Sequence, residues 1–267
     1  MPFRSLTVVL PAYNEEARLD PALDELFGYL GRRGERARDG SPGSAGLPEA
    51  VNVLVVDDGS TDRTVDIVRE RPEATRFVNV DGLARPLLAV LTVPHGGKGA
   101  AVRAGMLAAE GEIVVFADAD MATPPDELVP LVRALEDADV ALGSRIQPDG
   151  TDMRASQPAW RRFLGQTFHL LTSAWVVGPV QDTQCGFKGF RRAVARDVFA
   201  SQRITSIVFD VELVFLVRRR GYRFAVVPIR WADRRGSRMH PGPRLAVRVA
   251  WDLFRIPFLH RKVTRLR

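Results

Sequence analysis

Cysteine is nearly missing: Cys185 is the one cysteine among 267 residues. That excludes an intrachain disulfide framework and a cysteine-built zinc site, and it fits a reducing compartment. Long apolar runs are missing as well. Leu6 to Ala12 is too short for a signal-peptide core and runs straight into Tyr13-Asn14-Glu15-Glu16. No stretch reaches the roughly 18 uncharged apolar residues of a spanning helix. The expectation is therefore no signal peptide and no transmembrane helix. Lysine is scarce, with Lys98, Lys188 and Lys262 set against 38 basic residues in all. What is present is ordinary for a globular chain: 46% hydrophobic and 26% charged residues exclude disorder as the main state. The length allows one large domain or two small ones, and a sizeable core.

The net charge of +6 hides an uneven distribution. Residues 218–267 carry a balance of +13, with Asp233 and Asp252 as their two acids, while residues 1–217 carry −7. A basic C-terminal end calls for an anionic partner: nucleic acid, a phosphorylated substrate or an anionic membrane surface. Taken alone, it is more often a solvated face.

Apolar strand-like runs alternate with helix-like segments through the first 145 residues. Strands are expected at Leu6 to Leu10, Val51 to Val56, Leu87 to Val93, Glu112 to Ala117 and Val140 to Gly143. Helices are expected from Glu15 to about Arg33, Thr61 to Arg71, Lys98 to Glu110 and Pro125 to Asp137. Residues 34–50, rich in Gly, Ser, Pro and charge, read as a flexible surface insertion. Beyond them come a helix at Pro158 to Val177, a polar loop at Gln181 to Phe190, a helix at Ser206 to Arg220, a strand at Phe224 to Ile229 and a basic amphipathic helix from Arg244 to about Lys262. This pattern predicts an α/β domain with a mostly parallel, Rossmann-like sheet flanked by helices over 1–240, and an amphipathic C-terminal helix over 241–267. In such sheets ligands bind beyond the carboxyl ends of the strands. The turns at Tyr13–Glu16, Asp57–Ser60 and Asp118–Asp120 should line one crevice.

Asp118-Ala119-Asp120 follows a buried strand, where both carboxylates can reach one hard cation. Mg²⁺ or Mn²⁺ takes one or two carboxylates plus substrate phosphates; an isolated pair of this kind would more often be solvated loop acids. Asp57-Asp58-Gly59-Ser60-Thr61-Asp62 closes another strand, and a carboxylate there can accept from a base N–H or a ribose hydroxyl. Ser60, Thr61 or Asp62 could equally cap the next helix. His95-Gly96-Gly97-Lys98-Gly99 opens a helix whose N-terminus favours anions, although it is no Walker A loop. Cys185 reads as packing, and His95, His169 and His240 show no metal-ligand spacing. Trp160, Phe163, Phe168 and Trp175 read as core or membrane-facing packing.

Together with Pro11-Ala12-Tyr13-Asn14-Glu15-Glu16, Gly97 to Gly105, Leu142 to Arg145, Asp182 to Lys188 and Trp231 to Arg238, these motifs resemble glycosyltransferase family 2, in its order and spacing. The resemblance covers about residues 5–240. It is nearest to the branch that makes polyprenyl or dolichyl phosphate sugars, the dolichyl-phosphate β-glucosyltransferases and the related dolichyl-phosphate mannose synthases. It implies a GT-A fold, a nucleotide-sugar donor, a divalent metal and inversion at the anomeric carbon. It assigns Pro11, Tyr13 and Glu15 to uracil and ribose, and Asp57, with Asp58, Gly59 and Ser60 shaping the turn, to the base. It puts Lys98 and Gly99 near the base or donor phosphates, Asp118 with Ala119 at ribose or metal, and Asp120 on the metal. Arg145, Arg161, Arg162, Gln184, Lys188, Ser237 and Arg238 would face the acceptor. The eukaryotic relatives carry an N-terminal membrane helix that is not seen here, and the 34–50 insertion has no functional account.

The acceptor decides which residues act. A hydroxyl needs a general base tuned near working pH. A phosphate monoester, with a second pKa of about 6, is already largely dianionic and needs arginine forks instead. Asp182 and Asp210 are the base candidates, with Asp182 slightly favoured; either could instead orient Lys188 or an arginine. The expected reaction moves glucose from UDP-glucose to a polyprenyl phosphate, on a protein held peripherally at the cytoplasmic face of the cell membrane. GDP-mannose as donor, or a soluble phosphorylated acceptor, is the alternative. A nucleic-acid-binding protein would leave the acidic strand-end motifs unexplained and lacks a recognised module, so no nucleic acid is expected. A nucleotidyltransferase would leave the 182–188 loop without a role. A homo-oligomer is left open. The membrane contact is expected through 244–267, where Leu245, Val249, Leu253, Phe254, Phe258 and Leu259 recur at helical spacing beside five basic residues. The competing reading is a helix packed on the catalytic domain.

Overall fold

The structure is a computed structural model and describes residues 2–38, 46–153, 168, 170, 172–234 and 243–266. Its centre is a seven-stranded sheet. β1 (Ser5–Ala12), β2 (Ala50–Asp57), β5 (Leu88–Thr92), β6 (Ile113–Phe116), β7 (Val140–Ser144), β8 (Lys188–Arg191) and β9 (Phe224–Pro228) lie in the order β5-β2-β1-β6-β8-β7-β9. β3 (Phe77–Val80) and β4 (Leu83–Pro86) form a separate antiparallel hairpin. Asp81 and Gly82 turn it with positive φ at both positions, as a tight two-residue hairpin requires.

Strand alternation sends successive side chains to opposite layers. Val8, Leu10, Val53, Val55, Ile113 and Val115 face a core shared with α1 (Leu19–Arg38) and α4 (Leu128–Ala134). Val9, Val56, Val114 and Phe116 face a second core with α3 (Lys98–Ala108), α5 (Arg192–Ser201) and α6 (Phe209–Arg220). Both sheet faces are buried, which is why these strands read as unbroken apolar runs. The α/β, mostly parallel sheet flanked by helices is thus as expected. β1, β2, β5 and β6 run parallel, as do β7 and β9, while β8 runs antiparallel to both of its neighbours.

Several boundaries differ from the sequence reading. The 34–50 segment is not wholly an insertion loop: α1 continues to Arg38, Leu47 is buried in the core and β2 begins at Ala50. The expected 61–71 helix is shorter, α2 at Thr64–Glu70, because Asp62 turns back to accept from the Thr64 backbone N–H at 3.0 Å. The expected loop at 181–190 ends in β8, whose polar sequence conceals a buried strand. Helix α5 and the β3–β4 hairpin fall where no element was assigned, although Val194, Ala195, Val198 and Phe199 share one buried helix face. Most of the 158–177 helix lies outside the described residues; its end, Ser173–Val177, is a π-helical turn. Among the described residues no helix is long and apolar enough to cross a membrane.

α7 (Pro243–Leu259) sits on the second core through Leu253 and Ile256. Phe254, Phe258 and Leu259, expected on the same apolar face, are exposed instead. The helix therefore has one packed and one bare apolar face.

Candidate active site

The strand order reverses beside β1, with β2 on one side and β6 on the other, and a reversal of this kind leaves a crevice beyond the carboxyl ends of the strands. Four segments reach it. Three leave the carboxyl ends of β1, β2 and β6. The fourth is the 182–187 loop, which enters because β8 is antiparallel and begins at Lys188, opposite Phe116 and Leu142.

At the β1 and β2 ends the polar residues lock the two turns together. Half-buried Pro11 leads out of β1. Asn14, at φ 53°, donates its backbone N–H to Ser60 Oγ at 2.8 Å, and its Oδ1 accepts from the Thr61 N–H at 2.8 Å. Asn tolerates this left-handed backbone better than most residues. Asp57 is buried, and its Oδ1 accepts from the Ser60 N–H at 3.1 Å. Gly59, at φ +75°, lies so near His95 that an added Cβ would be 3.0 Å from the His95 nitrogen. Glu15 accepts from one edge of the Arg18 guanidinium through both carboxylate oxygens, at 2.7 and 2.6 Å.

The glycine loop before α3 meets an internal anion. The backbone N–H groups of Gly96 and Gly97 donate to the two carboxylate oxygens of buried Asp58, at 2.8 and 2.9 Å. His95 Nδ1 lies 2.9 Å from Asp58 Oδ2, and the His95 ring stacks on Tyr13 with centroids 4.4 Å apart. Asp58 thus fixes the loop, and a phosphate cannot use those two donors while it does. Gly99 serves packing: its N–H donates to the Thr205 carbonyl at 3.1 Å, and an added Cβ would lie 2.8 Å from that oxygen.

Lys98 projects from the first residue of α3 onto Asp118, forming an ion pair. Burial pulls the Lys98 ammonium down, but Asp118, Asp210 and Asp120 outweigh it and hold the group above its ordinary range. Asp120 accepts from the Ala122 N–H at 3.0 Å, with Arg18 at 4.0 Å. Burial, then the charge of Asp118, raises the Asp120 carboxyl above the usual carboxylate range. Ala119 between them is buried. Gly186 presses on Asp118 so closely that an added Cβ would be 2.4 Å from Oδ2.

Asp182 and Asp210 each hold a cation, the alternative to a base role that the sequence left open. Asp182 is buried and binds Arg145 through both oxygens; Arg145 also lies over the Trp231 ring, 5.6 Å from its centroid. Lys188 is fully buried, and its ammonium is held by Asp210 and the Cys185 carbonyl, 5.4 Å from the Phe116 ring. It is not turned to an acceptor. Asp210, at the start of α6, is raised by burial and pulled back by Lys188 and Lys98. Burial pushes the Cys185 thiol up to about 12, which agrees with its reading as packing. Gln184 is half-buried in the crevice loop. Arg161, Arg162, Ser237 and Arg238 lie outside the described residues. His95, Gly186, Trp231 and Arg18 were given no role in the sequence reading. Glycine spacing signalled the 95–97 turn, but no local pattern announces a glycine pressed against Asp118.

Among the described residues no three His, Cys, Asp or Glu side chains gather to hold a metal. Asp118 and Asp120 nevertheless fit a Mg²⁺ or Mn²⁺ that draws its remaining ligands from a bound diphosphate and water. Burial and the neighbouring Asp118 both disfavour the charged Asp120 carboxylate, and a cation would offset both.

The mostly parallel sheet with its switch point at β1 and an acid pair after β6 has the GT-A-type architecture expected from the sequence. Residues 7–199 match the model of glycosyl transferase family 2, and the chain belongs to that family. It is 37% identical over 248 residues to the dolichyl-phosphate beta-glucosyltransferase of Drosophila melanogaster, covering 90% of this chain and 71% of that protein. It is 35% identical over 263 residues to a dolichyl-phosphate beta-glucosyltransferase of Trichomonas vaginalis, covering 96% and 71%. Its fold is similar to that of glucosyl-3-phosphoglycerate synthase from Mycobacterium tuberculosis in complex with UDP, with a TM-score of 0.59 and 20% identity over 99% of this chain and 82% of that one.

Proposed function

We propose that this glycosyltransferase moves glucose from UDP-glucose to a polyprenyl phosphate of the dolichyl type, with inversion, at the cytoplasmic face of a membrane. The observation that carries the acceptor class is the pairing of both base candidates: Asp182 is gripped by Arg145 and Asp210 by Lys188. A hydroxyl acceptor would need one of them to take a proton. A phosphate monoester is dianionic near neutral pH and attacks without that help. The identity to dolichyl-phosphate beta-glucosyltransferases supports the same acceptor and a glucosyl donor.

In this reading Tyr13 and His95 offer a stacked aromatic wall to the base, and Asp57 takes a base or ribose donor. Lys98 lies along the diphosphate, while the glycine-loop N–H groups before α3 stay with Asp58. Asp118 and Asp120 would hold Mg²⁺ or Mn²⁺, which supplies charge neutralisation for the departing UDP. A phosphate oxygen of the acceptor attacks the anomeric carbon, the bond from that carbon to the UDP oxygen breaks, and UDP leaves with the electron pair. Arg145 stays with Asp182 and shapes the acceptor side with Trp231, while Arg234 is paired with Glu25 at 3.0 Å and donates to the Met121 carbonyl at 3.2 Å. The test is a donor screen that measures UDP or GDP release with and without polyprenyl phosphate. UDP release from UDP-glucose that depends on the lipid phosphate is expected. Release that depends on a dephosphorylated polyprenol would overturn the acceptor assignment.

A further inference from the structure

Two buried polar pairs tie α7 and its end to the body: Asp252 accepts from Ser206 Oγ at 2.6 Å, and His260 Nε2 lies 2.6 Å from Glu212 Oε1. On the opposite side Val247, Trp251, Phe254 and Phe258 are 71%, 59%, 50% and 55% exposed. Their spacing places them along one stripe. The rings form a continuous cluster: Trp251 to Phe254 at 6.1 Å, Phe254 to Phe258 at 5.1 Å, and Trp175 of the π-helical turn stacked on Phe254 at 6.0 Å. A contiguous aromatic surface of this kind marks an interaction site, unlike single exposed apolar residues.

The turn that carries Trp175 also walls a cleft. Val176, Val177 and Gly178 face Phe215, Arg218 and Arg219 of α6 across a volume of about 270 Å³. Gly178 gives the Arg218 guanidinium its seat, since an added Cβ would lie 2.4 Å from Nη1. Arg218 and Arg219 are exposed, as are Arg248, Arg261 and Lys262 on and after α7.

We propose that this face docks on an anionic lipid bilayer, with Trp175, Trp251, Phe254 and Phe258 entering the headgroup–acyl boundary and the Arg218–Arg219 cleft taking a lipid headgroup phosphate. The inference rests on the polyprenyl phosphate reading and deepens it by naming how the chain meets the bilayer. Tryptophan and phenylalanine beside arginine suit this boundary, where one side is apolar and the other charged. The guanidinium fork matches phosphate oxygens. A second copy of the chain fits poorly, because a two-fold contact would set these cations against themselves. Glu212 also accepts from the Arg203 and Ile204 N–H groups, and the neighbouring Thr205 carbonyl receives the Gly99 N–H at the start of α3. Docking therefore sets the orientation of the crevice relative to the lipid.

The experiment is co-sedimentation of the full chain with vesicles of phosphatidylglycerol and phosphatidylcholine, and with phosphatidylcholine alone. The variants are Trp251→Ser/Phe254→Ser/Phe258→Ser and Arg218→Glu, each checked by thermal melting. Partitioning onto the anionic vesicles should fall by about a hundredfold in the triple variant and about tenfold in Arg218→Glu. It should also weaken with salt. Undiminished binding by the triple variant would overturn the surface, and so would equal binding of wild type and Arg218→Glu to both vesicle types. A dimer that the triple variant dissolves, without vesicle binding, would assign the face to a second copy and overturn the proposal too. Vesicle binding without lipid-dependent UDP release would sink the proposed function and leave the surface standing. Lipid-dependent UDP release in detergent with no vesicle binding would remove the surface alone.

Discussion

The Arg145 guanidinium grips the Asp182 carboxylate with two parallel donors, Nε to Oδ2 at 2.8 Å and Nη2 to Oδ1 at 2.5 Å, and the Arg145 backbone N–H adds a third bond at 2.8 Å. The carboxylate is committed to its guanidinium: burial pulls Arg145 down, but its bonds to Asp182 outweigh that and hold it above its ordinary range. Asp182→Asn should lower stability by about 3–5 kcal/mol, because it leaves Arg145 without its counter-charge. The fall in kcat should be smaller than the 10²–10⁴-fold expected for loss of a general base. Thermal melts and kcat against pH check both; loss of the acid limb at an unchanged melting temperature would give Asp182 the base role after all.

Lys188 and Asp210 make a second internal pair, fully inside the protein. Lys188→Met alone strands a buried carboxylate and should cost about 3–5 kcal/mol. Lys188→Met/Asp210→Leu should recover most of that loss in denaturant unfolding, since well-packed apolar replacements of both partners are often near neutral. A double variant as unstable as the single one would mean that the pair has another structural duty.

Gly186→Ala tests the crevice floor. The new methyl would press on both Asp118 oxygens, the nearer at 2.4 Å. Asp118 is partly exposed and can swing away, so the fold should lose no more than the about 1–3 kcal/mol typical of overpacking. Transfer should suffer more, because a misplacement of about 1 Å can reduce rate about a hundredfold. The comparison is kcat against melting temperature in the same preparation.

Asp120→Asn should separate stability from activity. Burial and Asp118 raise this carboxyl above its unfolded value, so the folded state binds more protons in the window just above the ordinary carboxylate range. The Asp120 contribution is therefore present at acid pH and lost as pH rises through the raised value. At neutral pH, without divalent metal, the amide should melt higher than wild type. Transfer should fall at least about a hundredfold, and chelator should do the same to wild type until Mg²⁺ or Mn²⁺ is restored. An active Asn variant, or full activity in chelator, would detach Asp120 from metal binding.

The parallel half of the sheet was legible because Val8 to Leu10, Val55 with Val56, and Ile113 to Phe116 are buried on both faces and so appear as short apolar runs. The three acidic turns were legible for the same reason, since each abruptly ends such a run. β8 was not, because Lys188-Gly-Phe-Arg191 carries charge at both ends and is a strand only where Asp210 and Phe116 are waiting. Phe254 and Phe258 share helical spacing with Leu253 and were assigned to the same face, yet they point away from the body that Leu253 enters.

By itself the sequence determined the fold class, the family and the order in which acids, glycines and Lys98 arrive at the crevice, since these follow from local periodicity and short motifs. Only the tertiary structure decided which charges act in pairs. Arg145 meets Asp182 across 37 residues, Lys188 meets Asp210 across 22, and Asp58 meets Gly97 across 39. Partner choice between buried charges depends on separation and on the removal of water, and both are set by packing between elements that no local pattern links.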